Sequence, residues 1–591
     1  IAAAQEERFT RIKHDDSFPI KSIEFCLETA KLNLSDVDYI IFYEKPFIKF
    51  ERLIETYLEY VPRGFSSFSK AMPIWIKNKL FTKQNIIKEL KKIVGKDNYE
   101  IPKLLFSNHH KSHAASAFYP SPFEKSLILV LDGVGEWDTG SLWKGNKNKI
   151  KKIRSLKFPH SLGLLYSAFT YYVGFKVNSG EYKLMGLAPY GKPKYVNEIK
   201  NNLIDLKEDG SFRLNMSYFD FASGLQMTNK KFHNLFNGNP RLPENQITQK
   251  EMDIAKSIQV VLEEIVLKIV KNISVEFNCD NLCLAGGVAL NCVLNGKIIE
   301  QNNFKNVWIQ PAAGDAGGSL GAALLAWHEY LDKERVIEQP DKMKNSFLGN
   351  QFSNEEINTI LEDVKASYEI LSDEEIYRKI AHEIKNGKVV GWFQGKMEFG
   401  PRALGNRSII GSPLNKDMQK IMNLKIKNRE SFRPFAPVIK FDKLSEWFDL
   451  KIESPYMMIV SDVKQEKRVN LHQLSQENHG LDRLSEIRSK IPAVTHIDYS
   501  ARIQTVTMKQ NPKLYMLISK FEEITNCPLI INTSFNVRGE PIVCSPLQAY
   551  ECFMKTGINY LVMENYVLDK SKQNKTRVDF YKKQYDEINL D

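Results

Sequence analysis

Two uninterrupted apolar runs organise the first half of the chain. Ser126–Leu131 (SLILVL) stops at Asp132-Gly133, and Asn281–Ala285 (NLCLA) stops at Gly286-Gly287. Apolar runs without polar alternation predict strands of a sheet covered on both faces. The second run leads through its glycines into a predicted helix over Val288–Gly296, and ligands collect where a strand, a glycine turn and a helix follow one another. Around these runs, His113–Phe118 reads as a small-residue helix, Tyr119–Phe123 as a Pro-rich turn and Glu251–Asn278 as a long helix. Gly314–Gly321 reads as a Gly-rich turn before a helix through Tyr330. Polar Asp332–Asn345 resembles a linker, beyond which Lys388–Phe393 (KVVGWF) and Cys527–Ile531 (CPLII) predict strands of a second unit. Ile1–Ala4, running into charged Gln5–Arg8, reads as the end of a strand. Phe47–Trp75 is rich in aromatics and reads as core packing rather than a substrate lid. The whole predicts an α/β protein of two domains, 1–345 and 346–591.

Composition narrows the class. With 591 residues, 43% hydrophobic and 26% charged, the chain is globular and too long for one core. The formal charge of +11 comes largely from lysine runs such as Lys144–Arg154 (KGNKNKIKKIR), which read as solvated faces. No basic-aromatic module accompanies them, so no nucleic-acid partner is expected. Seven scattered cysteines without a Cys-x-x-Cys pair fit neither a disulfide framework nor a zinc knuckle. No apolar run reaches about 18 residues, and Ile1–Arg8 is not a signal peptide. A cytoplasmic protein with no membrane partner is expected.

Candidate chemistry gathers at the strand ends. His109 and His113, four apart, would share one face of a helix, and Asp132 closes the first apolar strand. Asp315 lies among glycines in PAAGDAGGSL, and two imidazoles with two carboxylates suit a borderline divalent metal. His110 is an alternative ligand in the same segment. Gly286-Gly287 and Gly317-Gly318 can cradle phosphates through backbone N–H groups. Lys183, within the Gly-rich SGEYKLMGLAPYG, is placed to meet phosphate. In the second unit, EFGPRALGNRS and NLKIKNRESFRPFAP bring Arg402, Arg407, Lys425, Lys427, Arg429 and Arg433 into loops beside glycine and proline. Guanidinium forks match phosphate oxygens, which suits phosphorylated substrates. NTSFN (Asn532–Asn536) adds hydroxyl and amide groups at a strand end, and THIDYSARIQTV adds His496 and Arg502.

Taken in order, AAAQEERFTRIKHD, HHKSHAASAF, LDGVGEWD, SGEYKLMGLAPYG, LAGGVALN, PAAGDAGGSLGAA, EFGPRALGNRSI, RESFRPFAP and INTSFNVRGEPIVCSP resemble the O-carbamoyltransferases of antibiotic, nodulation-factor and saxitoxin-type biosynthesis over nearly the whole chain. The resemblance implies an actin-like ATPase domain, similar to the tRNA threonylcarbamoyl-transfer ATPase, followed by a YrdC-like domain. The second would make carbamoyl adenylate from carbamoyl phosphate and ATP with Mg2+, and the first would pass the carbamoyl group to a hydroxyl of a small-molecule acceptor. It implies Fe2+ or another divalent metal on His109, His113, Asp132 and Asp315. Lys183, Gly286, Gly287, Asn291, Gly317, Gly318, Arg407, Arg502 and Asn532 would line nucleotide, while Arg402, Lys427, Arg433 and Ser534 would act on the carbamoyl phosphate. An enclosed path between the two sites would protect the fragile adenylate. The expected base, a His-Asp pair preceding AAAQEERF, is not in the sequence, and a homodimer is the candidate assembly. A tRNA-modifying threonylcarbamoyl enzyme and a non-catalytic actin-like scaffold are the competing readings. The second leaves the arginine-rich half without a task.

Overall fold

The structure, a computed structural model, describes residues 2–76, 80–95, 99–243, 245–469 and 480–586. It is a mixed α/β protein of two units, one spanning Lys31–Lys342 and the other joining Ile1–Ala30 to Met343–Asp591.

In the Lys31–Lys342 unit, β1 (Tyr39–Phe42) and β2 (Lys103–Phe106) pair in parallel. The central sheet contains β3 (Lys125–Leu131), β4 (Asp138–Asn146) and β5 (Lys149–Lys157), with a separate small hairpin of β6 (Ile204–Leu206) and β7 (Phe212–Leu214), then β8 (Asn281–Ala285) and β9 (Asn306–Ile309). Its order is β5-β4-β3-β8-β9. β3, β4 and β5 run antiparallel in sequence, whereas β3, β8 and β9 are parallel. The two apolar runs are the paired middle strands β3 and β8, and Leu127, Ile128, Val130, Leu282 and Cys283 have no exposed surface. Val130 pairs with Ala285, so Asp132 and Gly286-Gly287 emerge side by side at the same edge.

The helix Gln249–Phe277 starts at a capping box in which Glu251 accepts from the Thr248 N–H at 2.8 Å, and it ends at left-handed Asn278 (φ 42°). Ile254, Ile258, Val261, Ile265 and Val266 make the apolar stripe that burial of such a helix requires. The short helix expected at His113 begins one turn earlier and covers His109–Phe118. Gly314–Gly321, expected as a turn, is largely helical, the helix being Ala316–Leu325. Its glycines serve close packing: a Cβ at Gly321 would lie 1.9 Å from the Ser112 carbonyl oxygen. Aromatic-rich 47–75 forms the helices Pro46–Tyr60 and Phe65–Trp75, but Phe47, Leu58, Val61 and Phe65 are exposed rather than core.

Within the expected linker, Arg335 is buried. Its guanidinium donates to the carbonyls of Phe118, Tyr119, Ser121 and Phe123 at 2.7–3.1 Å and lies over the Phe118 ring. The turn that leads from the His109–Phe118 helix into β3 is thus tied to the end of this unit.

The other unit is built on a sheet of β10 (Glu369–Ile370), β11 (Val390–Phe393), β12 (Arg407–Gly411), β13 (Ala436–Lys440), β14 (Ile459–Asp462), β15 (Ser500–Val506), β16 (Leu529–Ser534), β17 (Tyr560–Met563) and β18 (Tyr566–Asp569). Their order is β10-β18-β17-β11-β12-β16-β13-β15-β14. The two strands expected here are β11 and β16. Residues 1–30, expected in the first domain, pack in this unit instead. The Ala3 N–H donates to the Leu348 carbonyl at 3.0 Å, and Arg8 reaches the Gly400 carbonyl at 2.7 Å. Ala2–Gln5 forms no strand, and the first regular element is the helix Glu6–Thr10. No helix among the described residues is long and apolar enough to cross a membrane.

Arg335→Met removes one charged donor from four buried carbonyls. We expect a loss of about 2–4 kcal/mol of stability, seen as a lower thermal midpoint. An unchanged midpoint would show that these carbonyls find water instead.

Candidate functional site

His109, His113, Asp132 and Asp315 converge. Nε2 of His109 lies 3.1 Å from Nε2 of His113, 3.1 Å from Oδ2 of Asp132 and 3.5 Å from Oδ1 of Asp315. His113 Nε2 is 3.7 Å from Asp132 Oδ2 and 3.5 Å from Asp315 Oδ1. A four-coordinate ion with bonds of about 2.1 Å spaces its donors about 3.4 Å apart. The four side chains therefore fit a divalent cation in both donor type and spacing, and one ligand atom from each lies within 4.8 Å of all the others. Histidine nitrogen with carboxylate oxygen is a donor set for iron or zinc rather than for calcium.

Each ligand is placed by a different element. The His pair sits in the first two turns of the His109–Phe118 helix, whose first N–H, that of His109, donates to the Glu136 carboxylate at 2.9 Å. Asp132 follows the last residue of β3, and its outer oxygen Oδ1 accepts from the Gly287 N–H at 2.9 Å. Gly286 must be glycine, since its φ is 87° and a Cβ would lie 2.2 Å from the Leu131 carbonyl oxygen. Asp315 precedes the Ala316–Leu325 helix and is mostly exposed, leaving the cluster open on that side.

Burial and charge compete here. Burial disfavours an imidazolium at His113, yet hydrogen bonds to Asp132 and Asp315 outweigh it and lift His113 to about 10. Burial likewise works against charge on Asp132, but His109 and His113 hold its carboxyl well below the usual range. A proton on His113 and a cation bound by the same nitrogen therefore exclude each other. Burial lowers His110 to about 3. Ser141 Oγ accepts the Trp143 Nε1–H at 2.8 Å and lies 2.7 Å from His110 Nδ1. His110 thus belongs to a Ser141–Trp143 contact and not to the metal set.

The glycines divide by role. Gly287 touches the cluster through its N–H, whereas the N–H groups of Gly317 and Gly318 donate to the Gly314 and Asp315 carbonyls at 3.0 and 2.9 Å, and both glycines serve close packing. Cβ atoms there would lie 2.2 Å from the Ala312 carbonyl oxygen and 2.8 Å from the Tyr43 ring. Asn291 caps the helix Cys292–Glu300 through the Leu294 N–H and pairs with Gln259, which also receives the Tyr166 hydroxyl. Lys183 lies over the Phe175 ring in the helix Glu181–Leu187.

In the second unit Lys427, Ser534 and Asn536 meet. Lys427 Nζ donates to the Ser534 carbonyl, to Asn536 Oδ1 at 2.9 Å and to the Asn536 carbonyl at 3.0 Å. Buried without a carboxylate among these partners, it is pushed well below the ordinary lysine range by burial and then by Arg429 and Arg433. Arg433 pairs with Glu430 at 2.7 Å. Arg402 sits in the loop between Gly400 and Leu404, while Arg502 lies in β15 two residues before Gln504. Asn532 Nδ2 donates to Gln504 Oε1 at 2.6 Å and to the Ala403 carbonyl at 3.1 Å. Arg407 is different: it is fully buried, stacked 3.6 Å over Phe393, and donates to the carbonyls of Asn350, Gln394, Gly395 and Asn406. That guanidinium builds the fold at the start of β12 and is not turned toward a nucleotide.

Sequence reasoning missed Glu136, Tyr43 and Glu398. Glu136 is visible only as the acid in LDGVGEWD. Tyr43 packs 5.5 Å from the His109 ring, its hydroxyl proton retained by burial and by nearby Asp315 and Glu44. Glu398 Oε1 accepts from the N–H groups of Leu404, Asn406 and Arg407 at 2.7–3.2 Å, and this fixes the whole PRALGN turn.

A family model described as the carbamoyltransferase N-terminus matches residues 1–324, and one described as the carbamoyltransferase C-terminus matches 381–570. An uncharacterized protein of Synechocystis sp. is 57% identical across 100% of this chain and 96% of its own length. Nodulation protein NolNO of Sinorhizobium fredii is 35% identical across 96% of this chain and 77% of its own. A 3'-hydroxymethylcephem-O-carbamoyltransferase of Streptomyces clavuligerus is 30% identical over 44% of this chain and 43% of its own. A HypF crystal structure from T. kodakarensis covers 42% of this chain and 39% of its own at 16% identity with a TM-score of 0.22, too distant to carry an argument.

Because His113 holds its proton up to about 10, a cation must displace it. Metal affinity should therefore rise about tenfold per pH unit through the neutral range, with one proton released per ion, measured by calorimetry in buffers of different ionisation heat. A pH-independent affinity would count against this. Gly321→Ala should part the two helices, cost about 1–3 kcal/mol and weaken metal binding at least tenfold, read by metal titration of the folded variant.

Proposed function

The chain belongs to the carbamoyltransferase family, and from that premise we propose an ATP-dependent O-carbamoyltransferase that activates carbamoyl phosphate and carbamoylates a hydroxyl of a small natural product. The observation that carries this reading is the convergence of His109, His113, Asp132 and Asp315 at the edge where β3 and β8 end. The sheet order β5-β4-β3-β8-β9, with its antiparallel half and its parallel half, supports an actin-like first unit. The second unit, with its cationic loops, takes the YrdC-like role.

The chemistry calls for such a division. Nitrogen feeds electron density into a carbamoyl carbon, so an alcohol attacks it only when a good leaving group is attached. Carbamoyl phosphate, ATP and water would give carbamoyl adenylate, pyrophosphate and phosphate. Attack by an alcohol would then give the carbamate ester, AMP and a proton. In the second unit, Arg402, Arg433 and Arg502 would hold the anionic oxygens of donor and nucleotide. Ser534 would present its hydroxyl to the donor, and Lys427 would fix Ser534 and Asn536. In the first unit, Gly286 and Gly287 would present backbone to the nucleotide, with Lys183 beyond them. His109, His113, Asp132 and Asp315 would hold Fe2+ or another divalent cation, which would supply Lewis acidity to an adenylate phosphate oxygen. Asp132 is oriented for that task by the Gly287 N–H. The name of the 3'-hydroxymethylcephem-O-carbamoyltransferase relative supports a hydroxylated small molecule as acceptor, in preference to RNA.

The test is incubation with carbamoyl phosphate, ATP, Mg2+ and a panel of hydroxylated acceptors. We expect equal yields of AMP, pyrophosphate and carbamate product by mass detection, and loss of the product with His113→Ala. No ATP consumption in the presence of carbamoyl phosphate would overturn the proposal.

A further inference from the structure

The helix Glu6–Thr10 and its left-handed cap Arg11 (φ 65°) send two arginines into the unit that contains Met343–Asp591. Glu6 sets their direction, because its carboxylate accepts from the N–H groups of Lys21 and Ser22 at 3.0 and 2.8 Å and so ties this helix to the start of the next. Arg8, 2% exposed, donates through Nη2 to the Gly400 carbonyl at 2.7 Å. Gly400 lies two residues before Arg402, in the turn whose other end is gathered by Glu398. That carboxylate is buried, and the Arg8 guanidinium is electrostatically coupled to it.

Arg11 reaches a second loop. Its Nη1 and Nη2 donate to the carbonyls of Ile542 and Pro541 at 2.7 and 2.8 Å, with Glu540 at 3.7 Å. The Glu540 carbonyl accepts from Asn536 Nδ2 at 2.7 Å, and Asn536 Oδ1 accepts from Ser534 Oγ at 2.7 Å and from Lys427 Nζ. Arg11 is therefore linked to the Lys427–Ser534 turn through one loop. Two neighbouring arginines thus brace two loops that are separated by more than a hundred residues in the sequence.

We infer that Arg8 and Arg11 are positioning residues for donor activation, Arg8 for the loop carrying Arg402 and Arg11 for the turn carrying Ser534 and Lys427. The inference rests on the activation role proposed above for those residues. A guanidinium suits the task because its fork can hold backbone carbonyls in a fixed direction. The carbonyl it holds in turn sets the exit angle of the chain. Neither arginine needs to touch substrate. Their effect is on how closely Arg402, Lys427 and Ser534 keep the geometry that binds an anionic donor, since small misplacements of positioning groups cost large factors in rate or affinity.

The test compares Arg8→Met, Arg8→Lys and Arg11→Met with the wild-type protein. Each is assayed for pyrophosphate release against carbamoyl phosphate concentration, for metal binding at the His109 cluster, and for backbone hydrogen exchange. We expect each Met variant to raise the KM for carbamoyl phosphate at least about tenfold with a smaller fall in kcat. Arg8→Lys should recover most of the loss through one retained donor, and metal affinity should not move. Faster exchange should be confined to 398–407 in Arg8→Met and to 538–544 in Arg11→Met. Folded Met variants with wild-type KM and unchanged exchange in those loops overturn the inference. So does a change in metal affinity equal to the change in KM, which would mark a general loss of structure. Should Arg8→Met fail to fold, Arg8→Lys and Arg11→Met decide. If the wild type itself releases no pyrophosphate with carbamoyl phosphate, the proposed function fails, and the exchange data alone decide whether the arginines order the loops.

Discussion

Four donor atoms meet because one helix lies against another closer than a side chain would permit. Gly321 faces the Ser112 carbonyl at a distance where a methyl group would collide, and Gly317 lies as close to the Ala312 carbonyl in the turn that leads into its own helix. That approach sets Asp315 beside His109 and His113. The parallel register of β3 with β8 sets Asp132 there too, steered by the Gly287 N–H. Two carboxylates in so small a space repel one another, and the imidazoles between them relieve this by holding a proton. A divalent cation relieves it more fully, since it neutralises both acids and needs no proton. Packing at the glycines, electrostatics at the acids and the choice of a cation are thus one constraint seen at three scales.

Charge is handled in the opposite way in the other unit. The Lys427 ammonium and the Arg407 guanidinium are buried and donate to carbonyl and amide oxygens. Oxygen dipoles hold each nitrogen in a fixed direction, while burial works against its charge. The two residues differ in what they leave available. Arg407 is enclosed by carbonyls and by the Phe393 ring, and it shapes the turn before β12. Lys427 is joined to Ser534 and Asn536 at the end of β16, where the chain turns out of the sheet.

The partition of the chain also departs from its linear order. The family model for the N-terminal part begins at residue 1, yet residues 1–30 belong by contact with the unit that contains Met343–Asp591. The arginines of QEERFTR explain this physically. Their guanidinium groups find backbone carbonyls to hold in turns at Gly400 and Pro541, and those turns lie in that unit.

Sequence alone determined the elements and residue types whose cause is local. SLILVL and NLCLA read as buried strands, Glu251–Asn278 read as a long helix, and His109, His113, Asp132 and Asp315 were legible as a donor set by chemical type. Their convergence was not legible, because it depends on the register of β3 with β8 and on the packing of two helices about 200 residues apart. Nor could sequence sort Gly287 of LAGGVALN, which meets the ligand Asp132, from Gly321 of DAGGSLG, which meets a helix. It could not sort Arg407, a structural ion, from Arg402 in a turn, or send Arg8 and Arg11 to their loops. In each case the side chain is the same and only the neighbours differ. Neighbours brought together by tertiary contacts leave no periodicity in the chain, and for that reason the fold alone decided those roles.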